Sequence, residues 1–141
     1  MDIRSLSDTE EEARLEALDL AAHCLDSINP LAIEDVQILY NAVVEDFRHN
    51  DRVQIALGIA FGEAIREKAG WEWVRTTDEW GAETSIAPQG YAISCHPISM
   101  IQKRIADGVV VDLVKLRDET IATIRMRIAE GLQTRGRTDE T

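Results

Sequence analysis

The sequence has little of what marks a secreted, membrane-spanning or metal-dependent protein. Only two cysteines occur among 141 residues, Cys24 and Cys95, and neither has a C-x-x-C partner, so we expect free thiols. No apolar run approaches the roughly 20 residues that span a bilayer, and the charged start lacks the apolar region of a signal peptide. These absences predict a cytoplasmic protein that contacts no membrane and uses no cofactor.

Basic residues are also scarce, and the acidic excess is concentrated at one end. The chain carries 15 Lys and Arg against 26 Asp and Glu, a net charge of −11. Residues 1–51 alone hold thirteen of the acids against three arginines. Such a surface repels phosphate backbones and attracts basic proteins, so we expect no nucleic acid and a basic protein partner. The alternative is a solvated face that only keeps the protein soluble.

Length and composition predict one domain. A chain of 141 residues that is 45% hydrophobic can bury a core without disulfides or metals. Residues 132–141 are polar and lack periodicity, which is typical of a disordered tail. The predicted domain therefore spans residues 1–131.

Apolar residues at three- and four-residue steps predict three helices in the first half of the chain. A capping box over 7–10 starts the first helix. Asn29-Pro30 ends it and begins the second. The third helix runs from Asp51 as its cap to Gly70, a glycine suited to a helix end.

The third helix contains two internal glycines, Gly58 and Gly62. Each costs a helix about 1 kcal/mol relative to alanine. They are four residues apart and therefore share a face. We expect a strand or a helix to pack closely there, and favour this over a ligand.

After Gly70 the pattern changes to a strand period. Residues 71–77 are rich in aromatic and β-branched side chains, 78–81 read as a turn, and 82–87 form the return strand. A second turn leads to a third strand over 91–95. This is a three-stranded antiparallel meander.

Two helices complete the prediction. A short one spans 97–107 and is closed by Gly108, and a long one runs from about 109 or 112 to 130 and is ended by Gly131. The predicted fold class is α+β: three N-terminal helices, the three-stranded meander, then a short and a long C-terminal helix.

Constellations for catalysis or metal binding are thin. A nucleophilic cysteine or serine needs a base within hydrogen-bond reach. Cys95 and His96 are neighbours at a strand end, where successive side chains point to opposite faces, so we interpret them as structural. Glu45 and His49 could supply two metal ligands, but no third is evident. We predict no catalytic residue and no metal site.

The three tryptophans remain to be explained. Trp71 and Trp73 are predicted core residues, whereas Trp80 lies on the turn, where burial is difficult. Tryptophan is enriched at binding hot spots. The predicted recognition patch therefore consists of Trp80 with Arg75, Asp78 and Glu79; the alternative is that Trp80 folds back over its own hairpin.

Lys103 and Arg104 form a basic pair near the end of the short helix. The helix macrodipole favours positive charge there without any function. The alternative is that the pair binds an anion.

Four segments, taken in order, resemble an uncharacterised bacterial family, domain of unknown function 3806. They cover about the middle third of the chain: Phe61-Gly62-Glu63, Gly70-Trp71-Glu72-Trp73, Asp78-Glu79-Trp80-Gly81 and Pro97-Ile98-Ser99-Met100-Ile101-Gln102-Lys103-Arg104. The resemblance implies a small bacterial α+β domain and brings no known activity, cofactor or catalytic residue.

Three functional hypotheses follow. The first is a non-enzymatic protein-binding domain, immunity-like or an adaptor, that uses the acidic N-terminal surface. The alternative is a small-molecule or anion-binding protein or an enzyme, with a pocket between the meander and the helices that involves Trp71 or Trp73, Asp78, Lys103 and Arg104. The third is a homodimer formed through apolar helix faces.

Overall fold

The computed structural model describes residues 1–27, 31–132 and 134–135. This part of the chain contains five helices and one three-stranded antiparallel sheet, which confirms the α+β class. In chain order the elements are β1 (Asp2–Ser5), α1 (Asp8–Cys24), α2 (Ile33–Asp46), α3 (Asp51–Ala69), β2 (Glu72–Asp78), β3 (Gly81–Ala87), α4 (Pro97–Asp107) and α5 (Leu113–Ala129).

The sheet has the order β1-β2-β3, and its third strand is not the predicted one. The N-terminal strand β1 pairs antiparallel with β2, with Asp2 opposite Thr77. The segment 91–95 instead contributes isolated bridges, one of them between Cys95 and Ile86. After β3 the chain turns away over 88–90 and meets the strand again only at Ile86, so no continuous ladder forms.

Local capping sets where two helices begin. Ser7 Oγ accepts the N–H of Glu10 at 3.2 Å and Glu10 Oε1 accepts the N–H of Ser7 at 2.8 Å, which confirms the capping box at α1. Asn50, one residue before the predicted cap, accepts from the Val53 N–H at 3.1 Å and starts α3. The predicted boundary at Asn29-Pro30 lies outside the described residues.

The central helix is α3. It packs against α1, α2, α4, α5 and β3, and most of its apolar residues are buried. The largest fully buried side chains of the protein include Tyr40, Phe61, Leu57, Ile65, Ile86, Ile101, Ile105 and Leu113. One core therefore connects all five helices with the sheet.

Gly58 and Gly62 lie where α4 and β2 approach α3 most closely. A Cβ on Gly58 would stand 2.6 Å from Ile98 Cα, and one on Gly62 would stand 2.5 Å from Trp73 Cη2 and 2.7 Å from Pro97 Cγ. These distances are too short for real Cβ atoms. The prediction that another element packs closely on this face is confirmed.

Helix α5 begins later than the earlier of its two predicted starts, residue 109. Asp112 accepts the N–H of Lys115 at 3.2 Å and caps a helix that begins at Leu113. Val110 precedes the helix and is 98% exposed. The Asp cap thus starts the helix about one turn after residue 109.

Two residues of the predicted tail contact the body of the domain. Thr134 forms a bridge with Tyr91. The guanidinium of Arg135 donates to the carbonyls of Tyr91 and Pro88, each at 2.7 Å, and lies 3.3 Å from a carboxylate oxygen of Glu72. Residues 133 and 136–141 lie outside the described part, so the disordered tail over 132–141 stays a prediction.

Candidate functional site

The loop of the β2–β3 hairpin presents Trp80 to solvent. Trp80 is 87% exposed, whereas Trp71 and Trp73 are each 8% exposed, as predicted for core residues. Asp78 Oδ1 accepts the backbone N–H of Trp80 at 2.8 Å, and Gly81 takes the positive φ of 133° that the turn requires. The loop backbone is therefore fixed while the indole remains free to contact another molecule.

Acidic residues lie at the same end of the sheet as Trp80. Asp78 and Glu79 are both exposed. The register of β1 places Asp2 opposite Thr77, next to Asp78, so the acidic N-terminal segment starts at the same end of the sheet. We call Asp2, Asp78, Glu79 and Trp80 the hairpin tip. An indole face beside carboxylates suits a basic side chain, which gains a cation–π contact and charge pairing together.

Arg75 was predicted to join the recognition patch on the loop, but its guanidinium lies elsewhere. Its Nη1 donates to Thr84 Oγ1 at 3.2 Å, and its Nε lies 3.4 Å from Glu10 Oε2. Arg4, opposite Arg75 in the register, holds the same carboxylate. The guanidinium of Arg75 thus contacts the α1 terminus and β3 rather than the loop.

Glu10 gives the stability of this region a pH dependence. Two hydrogen bonds from Arg4, at 2.8 and 2.9 Å, and one from the Ser7 N–H lower the pKa of Glu10 from 4.5 to about 2. A folded-state pKa below the ordinary value stabilises the fold above pH 4.5, and this contribution is lost as the pH falls towards 2.

We therefore expect Glu10→Gln to lower the free energy of unfolding at neutral pH and to matter less as the pH approaches 2. Urea unfolding followed by circular dichroism at a series of pH values measures this. Glu16→Gln, an exposed position on the same helix, is the control and should show little effect at any pH. A Glu10→Gln difference that stays constant with pH would contradict the expectation.

Lys103 and Arg104 lie on α4. Arg104 Nη1 donates to the Met100 carbonyl at 3.0 Å, one turn earlier in its own helix, and Lys103 is exposed. In the described part of the chain, no hydrogen bond or ion pair connects either residue with the hairpin tip. The anion-binding hypothesis for this pair stays a prediction.

A second polar cluster surrounds His96, the residue immediately before α4. His96 Nδ1 lies 2.8 Å from Ser85 Oγ and 3.5 Å from Glu83 Oε2, while Nε2 lies 3.5 Å from Ser94 Oγ. Ser85 is fully buried and also shares a 2.9 Å hydrogen bond with Thr76. We call Glu83, Ser85, Ser94 and His96 the His96 cluster.

The sequence contains a signal for this cluster in the spacing of Ser94 and His96. Cys95 and His96 are neighbours, whereas Ser94 and His96 are two residues apart in an extended segment and share a face. Burial raises the pKa of the Cys95 thiol to about 12, so that thiol stays protonated and unreactive. The hydroxyl beside His96 Nε2 belongs to Ser94.

Glu83 also anchors α4 to the sheet. Its Oε1 accepts the backbone N–H of Ser99 at 3.2 Å and the Ser99 hydroxyl at 2.8 Å. A carboxylate on a helix N-terminus satisfies a free N–H and is favoured by the macrodipole. The cluster is therefore held between two rigid elements, β3 and the first turn of α4.

Glu63 and Trp73, from two segments of the resemblance, meet where α1, α3 and β2 come together. Trp73 Nε1 donates to Glu63 Oε1 at 3.2 Å, and Arg66 pairs with the same oxygen. Arg14 stands 5.6 Å from the centroid of the Trp73 ring and 3.7 Å from Glu63 Oε2. Gly62 leaves room for the ring edge. These residues form a packed polar junction between α1, α3 and β2.

The described residues contain neither a metal-binding group nor a membrane-spanning helix. No three His, Cys, Asp or Glu residues in ranges 1–27, 31–132 and 134–135 form a group that could hold a metal ion. In the same ranges no helix is both long enough and apolar enough to cross a membrane.

The fold is that of a small α+β domain in which α3 is enclosed by the other helices and one sheet. The model of the family described as Domain of unknown function (DUF3806) matches residues 36–116, and the chain belongs to this family. The match runs from within α2 into the first turn of α5 and contains all four segments of the resemblance, which is confirmed. No curated protein and no solved structure matches the chain.

Proposed function

We propose that this protein is a protein-binding domain that recognises a basic partner through its hairpin tip. The observation that carries the proposal is the 87% exposure of Trp80 in a loop whose backbone is fixed by Asp78 and Gly81. The sequence supports a role as an immunity-like protein or an adaptor in the bacterial cytoplasm.

The energetic argument rests on the indole. Burying a large aromatic side chain against a partner releases a large apolar area, and tryptophan is among the residues that dominate measured binding energies. Because the loop is already ordered, little conformational entropy is lost when it binds. Exposure of Trp80 lowers the solubility of the free protein, and contact with a partner covers the indole.

The charge distribution supports a basic partner. Asp78 and Glu79 immediately precede Trp80, Asp2 lies at the same end of the sheet, and residues 1–51 carry most of the net charge of −11. A field of one sign accelerates encounter with an oppositely charged surface and aligns it before contact. Binding of this kind weakens as salt screens the charges.

We expect Trp80→Ala to reduce recovery of a basic partner from native lysate by about tenfold or more, the effect of a hot-spot truncation. Pull-down with the tagged wild-type chain, compared by quantitative mass spectrometry, measures this. Asp78→Lys with Glu79→Lys should also reduce recovery and should remove its salt dependence.

The matched control is Val110→Ala, which shortens another highly exposed apolar side chain far from the hairpin in sequence. It should leave recovery unchanged. Equal recovery with wild type and Trp80→Ala, or no basic protein recovered at all, would overturn the proposal.

A further inference from the structure

We propose that the His96 cluster is a hydrolytic site in which Ser94 is the nucleophile and His96 the general base, acting on carboxylic esters. The inference concerns a part of the molecule separate from the hairpin tip and does not depend on the proposed function. It rests on two distances. Ser94 Oγ lies 3.5 Å from His96 Nε2, and His96 Nδ1 lies 3.5 Å from Glu83 Oε2. Serine, histidine and glutamate are the residue types of nucleophile, base and orienting acid in acyl transfer. The two separations exceed the roughly 2.6–3.2 Å of a formed catalytic hydrogen bond, and such contacts tighten when substrate binds.

The partners of His96 determine which ring nitrogen carries the proton in the neutral ring. The Glu83 carboxylate can only accept a hydrogen bond, and Ser85 Oγ is free to accept from Nδ1 because its own hydroxyl can donate to Thr76 at 2.9 Å. Both neighbours therefore favour a proton on Nδ1. Nε2 is left as an acceptor 3.5 Å from Ser94 Oγ, which is the tautomer that a general base needs. The Ser94 hydroxyl also donates to Met1 Sδ at 3.8 Å, so it rotates from that sulfur to Nε2 before the ring takes its proton.

Exposure distinguishes Ser94 from Ser85 as the nucleophile. Ser85 lies closer to the ring but is fully buried, so a substrate cannot reach it. Ser94 is partly exposed, and the side chains of His96 and Glu83 are 33% and 28% exposed. Ser85 and Glu83 therefore act as positioning residues, and Ser94 is the hydroxyl that a substrate can approach.

A pocket beside Ser94 indicates the substrate class. Its volume is about 360 Å³, and besides Ser94 it is lined by the apolar residues Ile93, Leu116 and Ile124, by Cys95, and by the polar residues Glu119, Thr120, Thr123 and Arg127. The apolar part of this lining accommodates a short acyl chain, and the polar residues fix its orientation. We therefore expect esters with a small apolar acyl group.

The reaction balances without a cofactor. Ser94 Oγ bonds to the ester carbonyl carbon while its proton moves to His96 Nε2. The ester C–O bond then breaks, and the alcohol leaves with that proton. Water attacks the acyl-serine in the same way, releases the carboxylic acid and restores the serine hydroxyl. Glu83 stabilises the imidazolium that forms in both halves.

The test is covalent labelling of the purified full chain with a biotinylated fluorophosphonate, whose phosphorus takes the serine oxygen as fluoride leaves. We expect label on Ser94, identified by peptide mass spectrometry, and slow hydrolysis of p-nitrophenyl acetate. Ser94→Ala should remove both signals, and His96→Ala should reduce the labelling rate by about 100-fold or more. Ser27→Ala, an exposed serine at the far end of α1, should label like wild type.

Two comparisons separate this site from structural effects. Glu83→Ala should reduce the labelling rate, and Glu83→Gln, which keeps an oxygen acceptor for Nδ1–H, should restore most of it in a chain with the same circular dichroism. Trp80→Ala should label normally, so loss of partner binding and loss of this site are independent results. Label on another serine, no label on a folded chain, or equal labelling of His96→Ala would overturn the inference.

Discussion

Trp73→Ala is expected to lower the free energy of unfolding by about 3–5 kcal/mol, the range for removing a buried aromatic side chain. The indole is 8% exposed and fits against Gly62, so its removal leaves a cavity at the centre of the domain. It also removes the donor to Glu63 and the ring beneath Arg14. The helices α1 and α3 and the strand β2 lose the contact that they share. Movement of α1 towards α3 cannot replace it.

Urea unfolding followed by far-ultraviolet circular dichroism measures the change without relying on tryptophan emission. Trp80→Ala is the matched control, because it deletes the same side chain from an 87% exposed position, and its effect should stay within about 0.5 kcal/mol. Trp73→Phe should fall between the two, since Glu63 keeps Arg66 as a partner. Similar losses for Trp73→Ala and Trp80→Ala would show that the junction does not stabilise the fold.

The sequence predicted those features whose causes are local. The capping box at Ser7 and the left-handed glycines at Gly70 and Gly108, with φ of 74° and 65°, depend on a few neighbouring residues. The hairpin turn at 78–81 depends on Asp78 and Gly81 in the same way. Even the close packing on Gly58 was predictable, because glycine in a helix is unfavourable unless something needs the space.

The features that sequence reasoning missed depend on contacts far apart in the chain. Strand β1 is four residues long and mostly exposed, and it exists because β2 offers it a ladder some seventy residues later. The segment 91–95 has strand-like residues, but the turn before it carries it away from β3. Arg135 contacts the domain because carbonyls at Pro88 and Tyr91 accept hydrogen bonds from it. None of these contacts has a local signature.

The candidate sites show the same difference between features with local causes and features that depend on contacts far apart in the chain. Trp80 was predicted correctly to lie on the turn, since a hairpin places the side chains of its loop at its end. Arg75 was assigned to the same patch by proximity in sequence, yet its charge is taken up by Glu10 across the sheet. His96 was set aside because its sequence neighbour is Cys95, whereas its partners Glu83 and Ser85 come from another strand. Pairings across strands cannot be read from spacing alone.

Gly58→Ala is expected to lower the free energy of unfolding by up to about 2 kcal/mol, although alanine is the better helix former. Helix propensity alone would stabilise α3 by about 1 kcal/mol. Overpacking costs about 1–3 kcal/mol and sometimes more. The added Cβ would lie 2.6 Å from the Cα of Ile98, a backbone atom that cannot rotate aside, so α4 must shift as a unit. The steric cost therefore exceeds the gain in propensity.

The sign of this change is the informative result, and urea unfolding gives it directly. Glu67→Ala, at an exposed position of the same helix, should stay within about 0.5 kcal/mol of wild type. A stabilised Gly58→Ala would mean that α4 yields easily and that the α3–α4 contact is loose. Destabilisation would instead establish that the glycine is required by the approach of α4, the helix whose first turn is tied to the His96 cluster through Glu83 and Ser99.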